Sequence, residues 1–521
     1  MDQVKKGYRT LIVVLIAGLA LRVFRLGTHD FWHDEICSIG FAGVGRLIDN
    51  QPLYYLFLRF WIKFFGVSET VLRIPSVFFS IFSLVILYAL GRRMFNERVA
   101  LYATALMAVS PFQLWYAQEA RAYSMFLCFA LLSTLCLRQT LDKSSVRTWL
   151  GFGLFSLLGM LTSYFYVFIF AAHLTHIFFL RGWRSVLPFI LTLLLFFAAY
   201  LPFLEKALFI FYYISAGFWS EVPRLKHIGM TLSNLIVGYN STIFISTVIT
   251  AVSCILLAIF ALVGFKERKG HKDILRCFFY FSLPLVLAFL FSRLFVPVYM
   301  DRGLIAITPF YYLIIAFSIT SLRRVFRYLA VIAVCASLVV GVVSYYCDWL
   351  SIPYWNGGIY IKRPVKPAVS FLKKNFSTGD SIAFTNNAAM LPFSFYAREP
   401  SSPYSFYRVS FKGASKTLSF MDQNFYSYIQ GRETPLYYLF DPAVLNRSIG
   451  RGVEPYQCNI RIQDVASLKA KRIWVICSTW ERDGRLDENS ESVKKWMDKT
   501  YRLQMSRTID GIVFLCYLTH G

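Results

Sequence analysis

Charged residues are scarce in this chain, and acidic residues are the scarcer of the two signs. Only 16% of the 521 residues are charged, with 29 acidic against 54 basic residues, whereas a soluble domain carries about a quarter. Hydrophobic residues make up 57% of the chain, and the mean hydropathy is +0.52. This composition excludes an ordinary soluble or disordered protein and indicates a polytopic membrane protein.

Two further absences limit the fold. The ten cysteines include no Cys-x-x-Cys pair and no zinc-type spacing, which excludes a metal or disulfide framework. Three of them, Cys458, Cys477 and Cys516, lie in the C-terminal region and leave a single disulfide open there. The sequence also has no internal repeat and no low-complexity linker, so repeated transporter halves are not indicated.

Long apolar runs are abundant, each of about 18 to 24 residues, enough to cross a hydrocarbon core of about 30 Å. Their backbones must be hydrogen-bonded internally, so they are expected to be helices. The first run lacks a convincing small-residue cleavage site, which favours a retained helix over a signal peptide. We predict eleven spans: 9–26, 71–90, 97–114, 123–138, 149–163, 165–180, 185–204, 241–264, 276–296, 302–320 and 326–346.

The net charge of +25 comes mainly from short basic clusters that follow the even-numbered spans. This is the positive-inside pattern, so we predict membrane lipids and not nucleic acid as partners. The N-terminus is then cytoplasmic, and the segment 27–70, the turn that holds Glu119, the segment 205–240 and the turn 297–302 lie outside. The pattern predicts an integral membrane protein with a cytoplasmic N-terminus.

The composition changes after about residue 347, and no later run is long enough to span a membrane. Strand-like runs at 381–385, 472–477 and 511–518 alternate with helix-like stretches at 365–375 and 490–500. The chain is therefore predicted to have a transmembrane domain over 1–346 and a soluble α/β domain over 347–521. After eleven spans, the soluble domain lies outside the cytoplasm.

Acidic residues at the predicted outer surface are the main candidates for chemistry. Asp34 and Glu35 follow the first span, and Glu119 follows the third. Because a carboxylate at a membrane surface is costly to desolvate, we predict that all three meet in one site. Asp34 is a candidate general base, and the alternative is a helix cap with an exposed acid beside it. Glu119 is a candidate to bind a sugar hydroxyl or a metal, or to hold the acceptor, and the alternative is a local ion pair with Arg121.

Other polar residues have structural alternatives. His33, next to Asp34, is either a metal ligand or a polar residue of the interface, while His173 and His176 are more typical of a packed core than of a metal pair. The aromatic segment 52–65, with Arg59 and Lys63 four residues apart, suits a helix lying in the membrane interface or one packed in the core. A metal site formed by Asp34, Glu119 and His33 is left open.

A series of short segments lies between the first and fourth predicted spans. The segments are Asp34-Glu35, Gln51-Pro52-Leu53-Tyr54-Tyr55, the run 68–76, Leu90-Gly91-Arg92-Arg93-Met94-Phe95, Ser110-Pro111-Phe112 and Trp115 to Tyr123. Together they resemble the polyprenol-phosphate-dependent membrane glycosyltransferases of the C-type (GT-C) fold, most closely bacterial family 39-like transferases, relatives of protein O-mannosyltransferases and of the lipid A aminoarabinose transferase. The similarity is dense over about residues 20–140, and it implies a location in the bacterial inner (plasma) membrane.

The resemblance implies roles for individual residues. Asp34 matches the first-loop catalytic acid, Glu35 completes the pair, and Glu119 matches the second acidic position. Tyr299-Met300-Asp301-Arg302 is similar to the late Tyr/Arg motif, so Arg302 is implied to bind the lipid phosphate. Where relatives often have a basic residue or His and then two prolines, this chain has Asn50-Gln51-Pro52. The substrate-binding candidates are Tyr54, Tyr55, Arg59, Lys63, Arg121, Tyr299 and Arg302.

We therefore predict an integral membrane glycosyltransferase that moves a sugar from a polyprenyl-phosphate donor to an acceptor outside the cytoplasm. The acceptor is a lipid, a glycan or a protein, and direct displacement inverts the anomeric carbon. No cofactor is certain, and a divalent metal is left open. The alternatives are a lipid or polysaccharide transporter or flippase, and a non-catalytic envelope-assembly protein.

Overall fold

The structure is a computed structural model, and its elements are numbered in chain order. The described residues are 2–44, 52–181, 186–215, 220–266, 271–347, 349, 362, 364–385, 387–397, 406–410, 457–461, 470–478, 486 and 488–519. They divide into two compact units, which are described separately. The first comprises 1–26, 49–54 and 73–359, and the second comprises 27–48, 55–72 and 360–521.

The first unit is helical. Its helices, in chain order, are α1 (Asp2–Val23), α4 (Glu69–Met94, from Arg73 onwards), α5 (Glu97–Val109), α6 (Pro111–Ala117), α7 (Tyr123–Asp142), α8 (Val146–Thr162), α9 (Tyr166–Arg181), α10 (Val186–Ser215), α11 (Leu225–Val237), α12 (Ile243–Lys266), α13 (His271–Leu294), a 3-10 helix (Asp301–Ile307), α14 (Thr308–Ser321) and α15 (Arg324–Cys347). Helix α14 is almost wholly buried and packs against α5, α12 and α13, so it forms the centre of the core.

Each of the eleven predicted spans coincides with a helix or with adjoining helices of this unit. Within the described residues, seven helical segments are long and apolar enough to cross a membrane, or eight if the bent pair α5 and α6 is one span. The expectation of a polytopic helical membrane protein is thereby confirmed. The number eleven stays a prediction, because α8 and α9 are shorter and α1 is not among these segments.

Helices α5 and α6 meet at an angle of 60°. Ser110 separates them and caps α6, since its hydroxyl accepts a hydrogen bond from the Gln113 N–H at 3.4 Å, and Pro111 occupies the first position of α6. Proline at this position lacks an N–H that would have no partner within the helix. The sequence Ser110-Pro111 therefore ends one helix and starts the next, and the new direction leads to Glu119.

Arg22, near the end of α1, stabilises the end of α5. Its side chain is fully buried and donates to the Ala108 carbonyl at 2.7 Å, the Met107 carbonyl at 3.3 Å and the Ser80 hydroxyl at 2.8 Å. The last carbonyls of a helix have no partner within it and carry partial negative charge. A guanidinium there supplies both donors and positive charge at the bend.

The second unit contains a six-stranded sheet in the order β3-β2-β1-β4-β6-β5. The first four strands of this order are parallel and the last two pairings are antiparallel. The strands are β1 (Asp380–Phe384), β2 (Phe406–Ser410), β3 (Gln457–Arg461), β4 (Arg472–Ser478), β5 (Arg502–Ile509) and β6 (Ile512–Leu518), and the helices are α16 (Lys366–Asn375), α17 (Asn387–Ala397) and α18 (Glu488–Thr500). The predicted C-terminal α/β fold is confirmed.

The same unit includes two segments from near the N-terminus. Helix α2 (His33–Val44) and most of α3 (Pro52–Phe65) belong to it, and α2 packs against α17. The early loop and the C-terminal sheet domain therefore form one compact body. The predicted domain boundary at residue 346 stays a prediction.

Two cysteines of the sheet, Cys477 and Cys516, are thiols. Cys477 on β4 and Cys516 on β6 are buried and not disulfide-bonded, while the side chain of Cys458 lies outside the described part. The disulfide left open by the sequence is therefore not formed between Cys477 and Cys516. Burial raises the pKa of Cys516 to about 11, which keeps this thiol protonated and unreactive at neutral pH.

Candidate active site

The acidic pair lies in the first turn of α2. Asp34 is 18% exposed and accepts a hydrogen bond at Oδ1 from His33 Nδ1 at 3.2 Å. Glu35 is fully buried, and its Oε2 accepts from the Trp32 N–H at 3.4 Å. That contact is one half of a capping box, in which the side chain of the third helical residue accepts a hydrogen bond from the backbone N–H of the capping residue. The structure thus separates the pair into a partly accessible acid and an acid that stabilises the helix start.

His33 carries positive charge beside Asp34. Burial by itself lowers the pKa of His33, but the Cys37 thiol and the hydrogen bond and charge of Asp34 outweigh that effect and raise its pKa to about 10. The imidazolium can then donate a hydrogen bond to the Asp34 carboxylate at neutral pH. A metal ligand would instead need a neutral imidazole.

This pairing predicts a pH-dependent stability. Because the pKa of His33 is raised on folding from 6.5 to about 10, the stabilisation is full below about pH 6.5 and is lost as the pH rises through about 10. We expect the melting-temperature difference between the parent and His33→Gln to be constant at pH 5.5–6.5 and to shrink towards pH 10. A difference that grows from pH 7 to pH 10 would contradict the ion pair.

The aromatic helix α3 presents its cations to the surface. Arg59 and Lys63 are exposed, as are Phe60 and Phe64. Positively charged and aromatic side chains on one exposed surface suit a helix in the lipid headgroup region. The prediction that Arg59 and Lys63 bind substrate remains a prediction.

The two tyrosines of α3 are buried. Tyr54 is 1% exposed and Tyr55 is 4% exposed. The Tyr55 ring lies 5.0 Å from the Phe41 ring, measured between centroids. That contact joins α3 to α2 within the second unit. The positions Asn50 and Gln51 lie outside the described residues.

Glu119 lies in the turn between α6 and α7. Its side chain is buried, and its backbone carbonyl accepts from the Ser76 hydroxyl at 2.6 Å. The preceding residue, Gln118, donates to the Arg22 carbonyl at 2.9 Å and the Phe24 carbonyl at 2.8 Å, and it accepts from the Tyr345 hydroxyl at 2.7 Å. Contacts from three helices therefore fix the backbone that carries Glu119.

Arg121 follows two residues after Glu119. Its side chain is half-buried, and the guanidinium carbon lies 5.8 Å from the centre of the Tyr123 ring. Stacking on an aromatic face leaves the edge of an arginine available for hydrogen bonds. Arg121 can therefore contribute charge to an anion site, as the sequence predicts.

A pair of tyrosine hydroxyls connects Glu119 with the late motif. The Tyr116 and Tyr239 hydroxyl oxygens are 2.5 Å apart, and Tyr116 lies within electrostatic range of both Glu119 and Arg302. Burial raises the pKa of Tyr239 well above its ordinary value, the Tyr116 hydroxyl and Asp301 act in the same direction, and Arg302 opposes them. Both hydroxyls stay protonated, so one O–H hydrogen remains available for a further acceptor.

Asp301 holds the late motif in place. Its two carboxylate oxygens accept from the Thr231 hydroxyl at 2.6 Å and the Asn234 amide at 2.7 Å. Thr231 also bonds to the hydroxyl of Tyr299, which is buried, at 2.8 Å. These bonds attach the turn with Arg302 to helix α11. Thr231 and Asn234 were not predicted, although their three-residue spacing in segment 205–240 would have placed both on one helical face.

The paired histidines belong to a buried network, as the sequence favoured. His176 accepts at Nε2 from Arg276 Nε at 2.7 Å and bonds to the Tyr280 hydroxyl through Nδ1. His173 contacts the Thr134 hydroxyl at 2.9 Å. The side-chain partners of His176 come from α13, so the network joins α9 to α13.

No group of three or more His, Cys, Asp or Glu side chains suited to a metal ion is found among the residues that the structure describes. The metal set Asp34, Glu119 and His33 therefore stays a prediction. The structure brings Glu119, Tyr116, Tyr239 and Arg302 into one region of the first unit, and it places Asp34 and Glu35 in the second unit. The meeting of Asp34 with Glu119 likewise stays a prediction.

The chain matches one protein family over part of its length. Residues 49–205 match the family described as dolichyl-phosphate-mannose-protein mannosyltransferase. That segment contains Glu119, Arg121 and the bend at Ser110. A comparison with curated proteins found no match.

The whole fold is similar to that of solved membrane enzymes. ArnT from Cupriavidus metallidurans in the apo state superposes with a TM-score of 0.59 at 9% identity, covering 98% of each chain. The same protein bound to undecaprenyl phosphate gives 0.54 at 9% identity, covering 97% of each chain. AglB from Archaeoglobus fulgidus, in complex with an inhibitory peptide and a dolichol-phosphate, gives 0.50 at 11% identity, covering 98% of this chain and 74% of that one.

The apolar helices and the superposition with ArnT define a polytopic membrane protein of the GT-C fold. The predicted resemblance is confirmed: the chain shares the fold of ArnT, and its residues 49–205 match the dolichyl-phosphate-mannose-protein mannosyltransferase family.

Proposed function

We propose that the chain transfers a sugar from a polyprenyl-phosphate donor to an acceptor hydroxyl at the outer surface of a bacterial inner membrane. The observation that carries this proposal is the buried Tyr116–Tyr239 hydroxyl pair, whose Tyr116 lies within electrostatic range of both Glu119 and Arg302. A carboxylate, a guanidinium and protonated hydroxyls are the groups needed to bind a sugar and its phosphate. The ligands in the solved structures, undecaprenyl phosphate and dolichol-phosphate, support a donor of this lipid class.

The proposed reaction is a direct displacement. The acceptor oxygen attacks the anomeric carbon, the bond from that carbon to the phosphate oxygen breaks, and the polyprenyl phosphate leaves with the bonding electrons. Asp34 takes the proton of the acceptor hydroxyl, and Arg302 with Arg121 stabilises the charge on the leaving phosphate. Glu119 orients the acceptor or holds a metal. Glu35 supports Asp34 by fixing the start of α2, and inversion follows from a single displacement.

The sidedness of the site is part of the proposal. Basic clusters follow the even-numbered spans, which supports a cytoplasmic N-terminus and places residues 27–70 and the sheet domain outside. The exposed cations Arg59 and Lys63 on α3 then face the lipid headgroups, where the donor phosphate lies. The buried Tyr54 and Tyr55 lie near the N-terminal end of the same helix.

The function is tested with purified chain in nanodiscs. We expect release of polyprenyl phosphate and a glycosylated product from polyprenyl-phosphate sugars, and no product from nucleotide sugars. Lipid movement across the bilayer without product would favour a flippase, and neither activity across a panel of lipid, glycan and peptide acceptors would favour an assembly protein. If EDTA abolishes activity and Mn²⁺ or Mg²⁺ restores it, the result would support a bound metal. Full activity in EDTA would exclude a metal that EDTA can remove.

Arg302 provides a direct test of donor binding. Arg302→Gln keeps hydrogen-bonding capacity and removes the positive charge near the leaving phosphate. Because a bond to a charged group contributes about 1.5–3 kcal/mol, we expect binding of polyprenyl phosphate to weaken by about 10- to 100-fold. Binding is measured by quenching of intrinsic fluorescence, with Arg9→Gln on the exposed side of α1 as the control. Unchanged affinity in Arg302→Gln would rule out its phosphate role.

A further inference from the structure

A cluster of polar residues joins the first loop to the sheet domain within the second unit. Asp30 lies four residues before Asp34 and is 7% exposed. Its Oδ2 accepts from the Val365 N–H at 2.7 Å and the Lys366 N–H at 2.9 Å. These are the first amides of α16, so a carboxylate from the early loop caps a helix of the C-terminal domain.

Lys366 and Tyr396 extend the same cluster. The Lys366 ammonium lies 3.1 Å from Asp30 Oδ1 and 2.6 Å from Glu69 Oε1. The Tyr396 hydroxyl donates to Glu69 Oε1 at 2.8 Å and accepts from the Phe31 N–H at 2.7 Å. Lys366 also lies 5.0 Å from the centre of the Tyr396 ring. Two residues of the sheet domain thus bind both ends of the loop, before α2 and at the start of α4.

The charges of the cluster are complementary. Burial alone would lower the pKa of Lys366, but the hydrogen bonds and charges of Glu69 and Asp30 raise it, so the ammonium stays protonated between two carboxylates. Phe31 packs edge-on against Phe395, with ring centroids 5.7 Å apart. The backbone from Asp30 to Trp32 is therefore held by a bond, a ring contact and a helix cap immediately before the acid at position 34.

We infer that Lys366 and Tyr396 are positioning residues: the sheet domain sets the location of Asp34 by holding the segment Asp30–Trp32. This rests on the proposed function for its catalytic consequence, and the structural coupling stands apart from it. A displacement of about 1 Å at a reacting group lowers a rate by up to about 100-fold. In this case the sheet domain contributes to catalysis by positioning Asp34.

The inference is tested with Lys366→Met and Tyr396→Phe in the full-length chain. Lys366→Met keeps the length of the side chain and removes its charge, and Tyr396→Phe removes only the hydroxyl. Lys494→Met serves as the matched control, because Lys494 forms an exposed ion pair with Asp498 at 2.7 Å elsewhere in the same domain. Hydrogen exchange of residues 31–44 and the kinetic constants for sugar transfer are measured for each.

We expect faster exchange over 31–44 and a 10- to 100-fold lower kcat in both variants, with the KM for donor within about threefold of the parent. Lys494→Met should match the parent in each measurement. Exchange and kcat equal to the parent in both variants would overturn the inference, and so would a raised KM with unchanged kcat. Faster exchange in both variants, together with no sugar transfer by the parent, would support the coupling and overturn the proposed function instead.

Discussion

Asp34→Asn should lower kcat for sugar transfer by about 10³-fold, within the range of about 10²–10⁴ that a general base contributes. Asparagine has the same shape and still offers Oδ1 to His33, so the start of α2 should be retained. The loss would therefore report the removed base, and the KM for donor should change little. The rate of transfer is measured in single-turnover experiments with a labelled polyprenyl-phosphate sugar.

A matched control separates chemistry from a general loss of charge. Asp498→Asn alters an acid that is bonded to Lys494 and Tyr517 in the sheet domain, and it should transfer sugar at the parent rate. Glu35→Gln should keep the contact to the Trp32 N–H and retain most of the activity if Glu35 acts through the helix cap. An Asp34→Asn variant as active as the parent would reject Asp34 as the base.

Arg22→Met should strongly destabilise the helical unit. It removes the donors that satisfy the Ala108 and Met107 carbonyls in a fully buried site. A bond to a charged group contributes about 1.5–3 kcal/mol, and the abandoned acceptors keep their desolvation cost. We expect a loss of about 3 kcal/mol or more, seen as a lower melting temperature in detergent.

Arg9 gives the control on the same helix, because it is exposed. Arg9→Met should leave the melting temperature within about 1 °C of the parent, since exposed substitutions usually change stability by less than about 0.5 kcal/mol. Equal stability of Arg22→Met and the parent would show that the bend between α5 and α6 does not depend on this guanidinium.

Hydropathy predicted the helical unit because the physical signal is local. A long apolar run must form a helix in a membrane, and helices lie at all eleven predicted positions. The sheet domain was predicted equally well where strands are buried, as at β1, β4 and β6. Strand β5 was missed because it lies at the sheet edge and is exposed along nearly its whole length, so it lacks the apolar run that marks β1, β4 and β6.

The contacts that organise the site could not be predicted in the same way. Glu119 and Arg302 were found from short motifs, but Tyr239, whose hydroxyl bonds to that of Tyr116, lies more than a hundred residues from Glu119. Helix α11 was missed, since its 13 residues are too few to span a membrane. The bonds of Asp30 and Glu69 to Lys366 cross about 300 residues of sequence, and nothing local specifies which lysine they bind.

The make-up of the second unit also sets an order of assembly. Residues 27–72 leave the ribosome early. Lys366 and Tyr396, which bind this segment, come roughly 290 residues later in the chain. At typical rates of synthesis this is a delay of about 15–60 s. During that interval the loop that carries Asp34 lacks its contacts with these two residues. Under the proposed function, an incomplete chain would therefore stay inactive until the segment with Lys366 and Tyr396 has been synthesised and has folded against the loop.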